Sequence, residues 1–148
     1  MNNSISSLTP IGHVHSIYRT IGEAPRQGTN EHATIEIFPD FEQGLQDIEE
    51  FSHLYIVYWL HQSSGYTLIV QPPWQTGRHG LFTTRSPHRP NPLGLSVVQL
   101  VKRTQNILEV TNLDAIEGTP VLDIKPYIKR LDCHPDSTDG WAENLESK

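Results

Sequence analysis

The sequence predicts a mainly β protein, a compact β-barrel with one or two short helices and no Rossmann domain. Three observations carry that expectation. Short apolar segments of strand length recur along the chain, turns rich in Gly and Pro separate them, and a single stretch has helical spacing. "IGHVHSIYR" (11–19) and "ATIEIF" (33–38) alternate apolar and polar residues, as half-buried strands do. "FEQGLQDIEEF" (41–51) sets Leu45, Ile48 and Phe51 three apart and predicts a helix of at most two turns. "LYIVYWL" (54–60) is a continuous apolar and aromatic run, expected to be a strand buried on both faces. "YTLIVQ" (66–71), "LSVVQLVKR" (95–103), "ILEVTNL" (107–113) and "VLDIK" (121–125) complete the set, with "TQN" and "EGTP" as turns between the last three. The barrel is expected over residues 1–131. A polar, acidic tail over 132–148 is expected at its periphery, pinned by Trp141. Neither the glycine-rich strand-to-helix turn of a dinucleotide fold nor a phosphate-binding P-loop is present.

With 148 residues, 36% hydrophobic and 19% charged, the chain can bury a core without covalent staples. No segment has the apolar length of a membrane span. "MNNSISSLTPIG" has neither a basic leader nor an apolar run, and the lone Cys133 cannot form an internal disulfide, so the expected location is cytoplasmic. A net charge of −6 argues against non-specific coating of nucleic acid. The distribution is more informative than the sum. Between Gln27 and Gly77 there is no Lys or Arg, whereas 78–103 holds five basic residues and no acidic one. Any anionic ligand is therefore expected to bind locally.

That basic segment contains "TRSPHRPNPLG" (84–94). Pro87, Pro90 and Pro92 fix their own φ and push Ser86, Arg89 and Asn91 toward extended backbone. A loop so restricted loses little entropy on binding, and Arg85 and Arg89 offer planar donor forks for carboxylates or phosphates. "EAPRQG" (23–28) holds Arg26 and Gln27 beside Pro25, but taken alone it reads as an ordinary loop. "WLHQSSG" (59–65) places His61 and Gln62 at a strand end, where either a ligand-binding or a merely satisfied histidine fits. In "EGTPVLDIKPYI" (117–128), Glu117 to Pro120 form a turn, and Asp123 and Lys125 share one strand face. A plain ion pair and a polar pair poised at a site both fit that spacing. His13 and His15 form an H-x-H pattern, but no second His- or Asp-rich motif has ligand spacing, so no metal is expected. Cys133 has no partner that would make it a nucleophile.

In this order, "APRQG", "FSHLYIVYWLHQ", "GLFTTRSPHRPNPLGLS" and "EGTPVLDIKPYI" resemble the TsaA-like (TrmO) family of tRNA threonylcarbamoyladenosine N6-methyltransferases, over about Ile11 to Tyr127. The resemblance implies a β-barrel methyltransferase that uses S-adenosylmethionine, acts as a homodimer, and methylates N6 of threonylcarbamoyladenosine at position 37 of tRNA. It implies a cofactor pocket drawn from Arg26, Gln27, His61, Gln62, Arg85, Leu95, Glu117, Gly118, Thr119 and Pro120. "EGTP" stands where family members typically read "DGTP", and the longer acid can accept the same donors. On this resemblance Asp123 is expected to accept the proton, with Lys125 or Tyr127 orienting the substrate and Arg89 and Asn91 meeting the acceptor. Some bacterial members carry a further C-terminal domain that this chain does not show. Two other readings keep the barrel: a methyltransferase for a small-molecule nitrogen, and a non-catalytic module that binds S-adenosylmethionine.

Overall fold

A computed structural model of the protein describes residues 7–24, 30–72 and 77–144. Its strands are β1 (Gly12–His15), β2 (His32–Ile37), β3 (His53–Trp59), β4 (Ile69–Val70), β5 (His79–Gly80), β6 (Leu93–Thr104), β7 (Ile107–Thr111) and β8 (Pro120–Pro126). Six of them close a barrel in the order β1-β2-β7-β6-β3-β8, and every neighbouring pair is antiparallel. Closure removes the sheet edges that an open β protein has to protect. Inside, Val14, Ile35, Ile56, Leu108, Val110 and Val121 are all sealed from solvent. This is the strand alternation read from the sequence, turned inward.

Three expectations are corrected. "LYIVYWL" is not buried on both faces: Leu54, Ile56 and Tyr58 point into the barrel, while Tyr55, Val57 and Trp59 lie half-buried on its outer wall. A barrel has one interior, and this outer wall is covered only in part, where Tyr127 packs on Tyr55. The expected helix over 41–51 is instead two 3-10 segments, Pro39–Leu45 and Ile48–Glu50. Asp47, at φ 68, breaks the run between them, yet Leu45 and Ile48 are buried as the spacing required. The 66–71 segment adds no barrel strand, since only Ile69 and Val70 pair, with β5, in a separate two-stranded sheet. The one α-helix among the described residues, α1 (Lys129–Asp132), is a single turn.

Antiparallel order sends the connections alternately to the two ends. The connections 16–31, 60–92 and 112–119 all emerge at one end, here called the rim. The opposite end carries the 38–52 connection, with its two 3-10 segments, and the two-residue turn 105–106. There Ile37 N donates to Asn106 O at 2.8 Å, Asn106 Nδ2 to Ile37 O at 2.7 Å, and Arg103 Nη1 to Leu45 O at 3.0 Å.

Candidate functional site

The rim gathers most of the residues singled out in the sequence. The proline loop is tied to the end of β3: Leu60 N donates to Pro92 O at 2.8 Å, and Ser63 Oγ donates to Pro87 O at 2.9 Å. Ser63 Oγ also lies 2.8 Å from His88 Nδ1. His61 and Gln62, both exposed, are thereby held beside "TRSPHRPNPLG". Arg89 is turned back into its own loop, its Nη1 donating to Thr84 O at 3.0 Å and Ser86 O at 3.2 Å, so it braces the loop. Asn91 is exposed, and its carbonyl accepts from Leu93 N at 2.7 Å. Arg85 is exposed and makes no hydrogen bond with the described residues. Arg26 and Gln27 lie outside the described residues.

Within reach of the Arg85 charge lies a buried polar group that the sequence reading missed. Tyr58 is the inward-facing residue of β3 nearest the rim, and its hydroxyl donates to Asp114 Oδ1 at 3.0 Å and lies 3.0 Å from Ser96 Oγ. Ser96 Oγ in turn donates to Asp114 Oδ1 at 3.4 Å. Burial first, then the Asp114 charge, pushes the Tyr58 phenol well above its ordinary range, and the Arg85 charge pulls the other way. The phenol is therefore a fixed donor. Room for its ring comes from Gly94, directly opposite on β6, where any Cβ would overlap the Tyr58 ring. The available signal was a hydroxylated aromatic in an apolar run. Its partners are 38 and 56 residues away in sequence, so nothing local announced them.

The turn Glu117–Pro120 is fastened to β1. Gly118 N donates to Val14 O at 2.8 Å, and Val14 N to Thr119 O at 2.9 Å. Thr119 is buried, with its Oγ1 donating to Ile116 O at 2.7 Å. Glu117 receives Ser16 N at 2.6 Å and meets His15 Nδ1 at 3.1 Å, and these contacts, Ser16 first, hold its carboxyl below the usual range. Gly118 sits at φ +78 with nothing within 4 Å of where a Cβ would be, so this turn presents bare backbone to a ligand. Pro120 opens β8 opposite His13.

Leu95, Asp123 and Lys125 lie elsewhere, on the outer wall. Leu95, Val57 and Asp123 form one row across β6, β3 and β8, and Val97, Tyr55 and Lys125 form the next. Asp123 and Lys125 do share a face, with Lys125 Nζ 3.0 Å from Asp123 Oδ2. Tyr127 packs on Tyr55 at 5.6 Å between ring centroids. Leu95 is thus a wall residue, 56% exposed, and not one of the rim group with which the sequence reading placed it. Past α1, Trp141 stacks on His79 at 4.2 Å and its Nε1 donates to Thr83 O at 3.0 Å, which ties the tail to the loop leading into Arg85.

The arrangement offers an unengaged guanidinium, exposed polar side chains and open turn backbone at one end of a closed antiparallel barrel. That combination defines a ligand-binding β-barrel outside the Rossmann class. Residues 13–133 match the family model for the tRNA-methyltransferase O N-terminal domain, and the chain belongs to that family. It is 47% identical over 145 residues to a probable S-adenosyl-L-methionine-binding protein of Archaeoglobus fulgidus, covering 95% of this chain and 40% of that protein. It is 40% identical over 133 residues to the Mus musculus tRNA (adenine(37)-N6)-methyltransferase, covering 83% of this chain and 31% of that one. The crystal structure of TrmO from Pseudomonas aeruginosa superposes with a TM-score of 0.79 at 34% identity, over 93% of this chain and 63% of that one. The chain thus spans less than two thirds of each of these three proteins.

Proposed function

We propose that this chain is an S-adenosylmethionine-dependent methyltransferase that methylates N6 of threonylcarbamoyladenosine at position 37 of tRNA, in the cytoplasm. The observation that carries the reading is that the proline loop, His61 and Gln62 and the Glu117 turn share one rim, where Arg85 makes no hydrogen bond with the described residues and its charge reaches the Tyr58 hydroxyl bonded to Asp114. The rim suits this cofactor. The Arg85 fork matches its carboxylate, and the turn at Gly118 leaves room for close approach to main-chain groups. His61 and Gln62 add donors and acceptors beside the proline loop. When bound, the cofactor supplies a methyl group already activated by its sulfonium. The protein's share is therefore placement and one proton. Asp123 would accept the proton released from N6 when the methyl passes from sulfur to nitrogen and S-adenosylhomocysteine is left, while Lys125 or Tyr127 would orient the acceptor.

Asp123 sits on the outer wall and Arg85 at the rim, and a homodimer reconciles the two. Trp59, Val57, Leu93 and Leu95 form an apolar surface on that wall, with Leu93 42% exposed. A second copy seated there covers it and brings a rim toward Asp123. Light scattering should then show twice the chain mass, and Leu95→Glu should give a monomer; a wild-type monomer at assay concentration removes the dimer from the reading.

The decisive assay is transfer of labelled methyl from S-adenosylmethionine to tRNA with and without threonylcarbamoyladenosine. Incorporation only into the modified tRNA is the expected result. Cofactor binding with no transfer to either tRNA would overturn the acceptor. The net charge of −6 favours a small-molecule nitrogen as the next acceptor to test.

A further inference from the structure

The outer face of β1 and β2 has no part in the methyl-transfer reading. His13 and His15, two apart on β1, project from the same side of the sheet. The β1–β2 register sets Glu36 directly opposite His13, 21 residues from His15 in sequence. Glu36 Oε2 lies 3.3 Å from His13 Nε2 and 2.8 Å from His15 Nε2. One ligand atom from each of the three residues falls within 4.8 Å of the others, a grouping found once among the described residues. The other ring nitrogen of His15, Nδ1, lies 3.1 Å from Glu117 Oε1.

We propose that His13, His15 and Glu36 bind one divalent transition-metal ion of the zinc type, with Glu117 orienting His15 and a fourth position left to water. Zinc bonds to imidazole nitrogen and carboxylate oxygen are about 2.0–2.2 Å, which makes the edge of a tetrahedron roughly 3.4 Å. The His13–Glu36 separation of 3.3 Å already has that length. The His15–Glu36 pair has to open by roughly half an ångström as the ion takes the place of the shared proton. A carboxylate on Nδ1 fixes both the ring and the tautomer that leaves Nε2 to the metal, the usual outer partner of a metal-bound histidine. Two imidazoles and one carboxylate select a borderline transition metal over magnesium or calcium, which take all-oxygen sites. The sequence alone had no companion for the H-x-H pair because the third ligand comes from the neighbouring strand. This site clips β1 to β2 and, through His15, to the rim turn at Glu117.

The same surface supplies an internal control. His32 Nδ1 meets Glu109 Oε1 at 2.6 Å between β2 and β7, but no third ligand joins them among the described residues. The test is titration of the metal-stripped full chain with zinc chloride at neutral pH by calorimetry, with cobalt chloride as a spectroscopic probe of ligand geometry. One ion per chain is expected, with a raised melting temperature. His13→Ala and Glu36→Gln should abolish stoichiometric binding, and Glu117→Gln should weaken it by about 10–100-fold. His32→Ala and Cys133→Ser should leave it unchanged. Glu36→Gln keeps the side-chain volume, and melting without metal confirms that the variant is folded. Absence of one-to-one binding overturns the site. So does binding that survives Glu36→Gln, or that is lost with His32→Ala or Cys133→Ser.

Discussion

Arg85 at the rim and Arg103 at the closed end come from the same basic segment and do opposite work. Arg103 is held by its own chain: Nε donates to Gln105 O at 2.7 Å, Nη1 donates to Leu45 O at 3.0 Å, and Glu49 lies 3.5 Å away. It seals the barrel end where the 3-10 segments meet β6. Arg85 has no such partner among the described residues, and it stands where three loops converge. Arg89 shows that position alone does not decide the matter, since at the same rim it is spent on Thr84 and Ser86 carbonyls. A count of cations along a segment therefore overstates its capacity for anions. What counts is which guanidinium the fold leaves unengaged.

The largest effects should come from exchanging the two ends. Arg85→Ala removes charge-assisted bonds to a ligand, about 1.5–3 kcal/mol, or about 10–150-fold in S-adenosylmethionine affinity. Its denaturation midpoint should stay that of the wild type, because Arg85 makes no hydrogen bond with the described residues. Arg103→Ala should do the reverse, lowering stability by about 2 kcal/mol while cofactor affinity holds. Calorimetric titration and urea unfolding of both variants decide it. Equal affinity in Arg85→Ala and wild type would break the comparison, as would an affinity loss in Arg103→Ala at unchanged stability.

Much of the barrel was legible because strand periodicity is a local property. Ile35 and Ile37, Leu108 and Val110 alternate inward as their spacing required, and Asp123 and Lys125 share a face for the same reason. The errors fall where local pattern is silent about what lies opposite. An apolar run such as "LYIVYWL" looks the same whether its outer side is covered by a helix or left as a wall, and only barrel closure distinguishes the two. The 41–51 segment kept its buried Leu45 and Ile48 but not its helix type, because Asp47 sits in the left-handed region between two short turns. Site residues divide the same way. His61, Gln62, Arg85 and the Glu117 turn could be singled out because they sit in unusual loops, whereas Tyr58, Asp114 and Glu36 make their contacts with partners tens of residues away.

Tyr58 is the narrower test of what makes the rim different from the closed end. Its hydroxyl is one of two donors on Asp114 Oδ1, and the other, Ser96 Oγ, is longer at 3.4 Å. Tyr58→Phe keeps the ring that Gly94 accommodates, so packing is retained and only the hydrogen bond is lost. A half-buried carboxylate left short of a donor costs about 1 kcal/mol, the low end of the range for an unsatisfied buried group. Urea unfolding should show that loss. Cofactor affinity should fall too, by less than in Arg85→Ala, because Asp114 near the arginine becomes less well fixed while the guanidinium itself remains. If Tyr58→Phe lowers stability and leaves affinity untouched, the Tyr58–Ser96–Asp114 group belongs with Arg103 as part of the scaffold. If affinity falls with it, the buried hydroxyl is what holds the floor of the rim in place near Arg85.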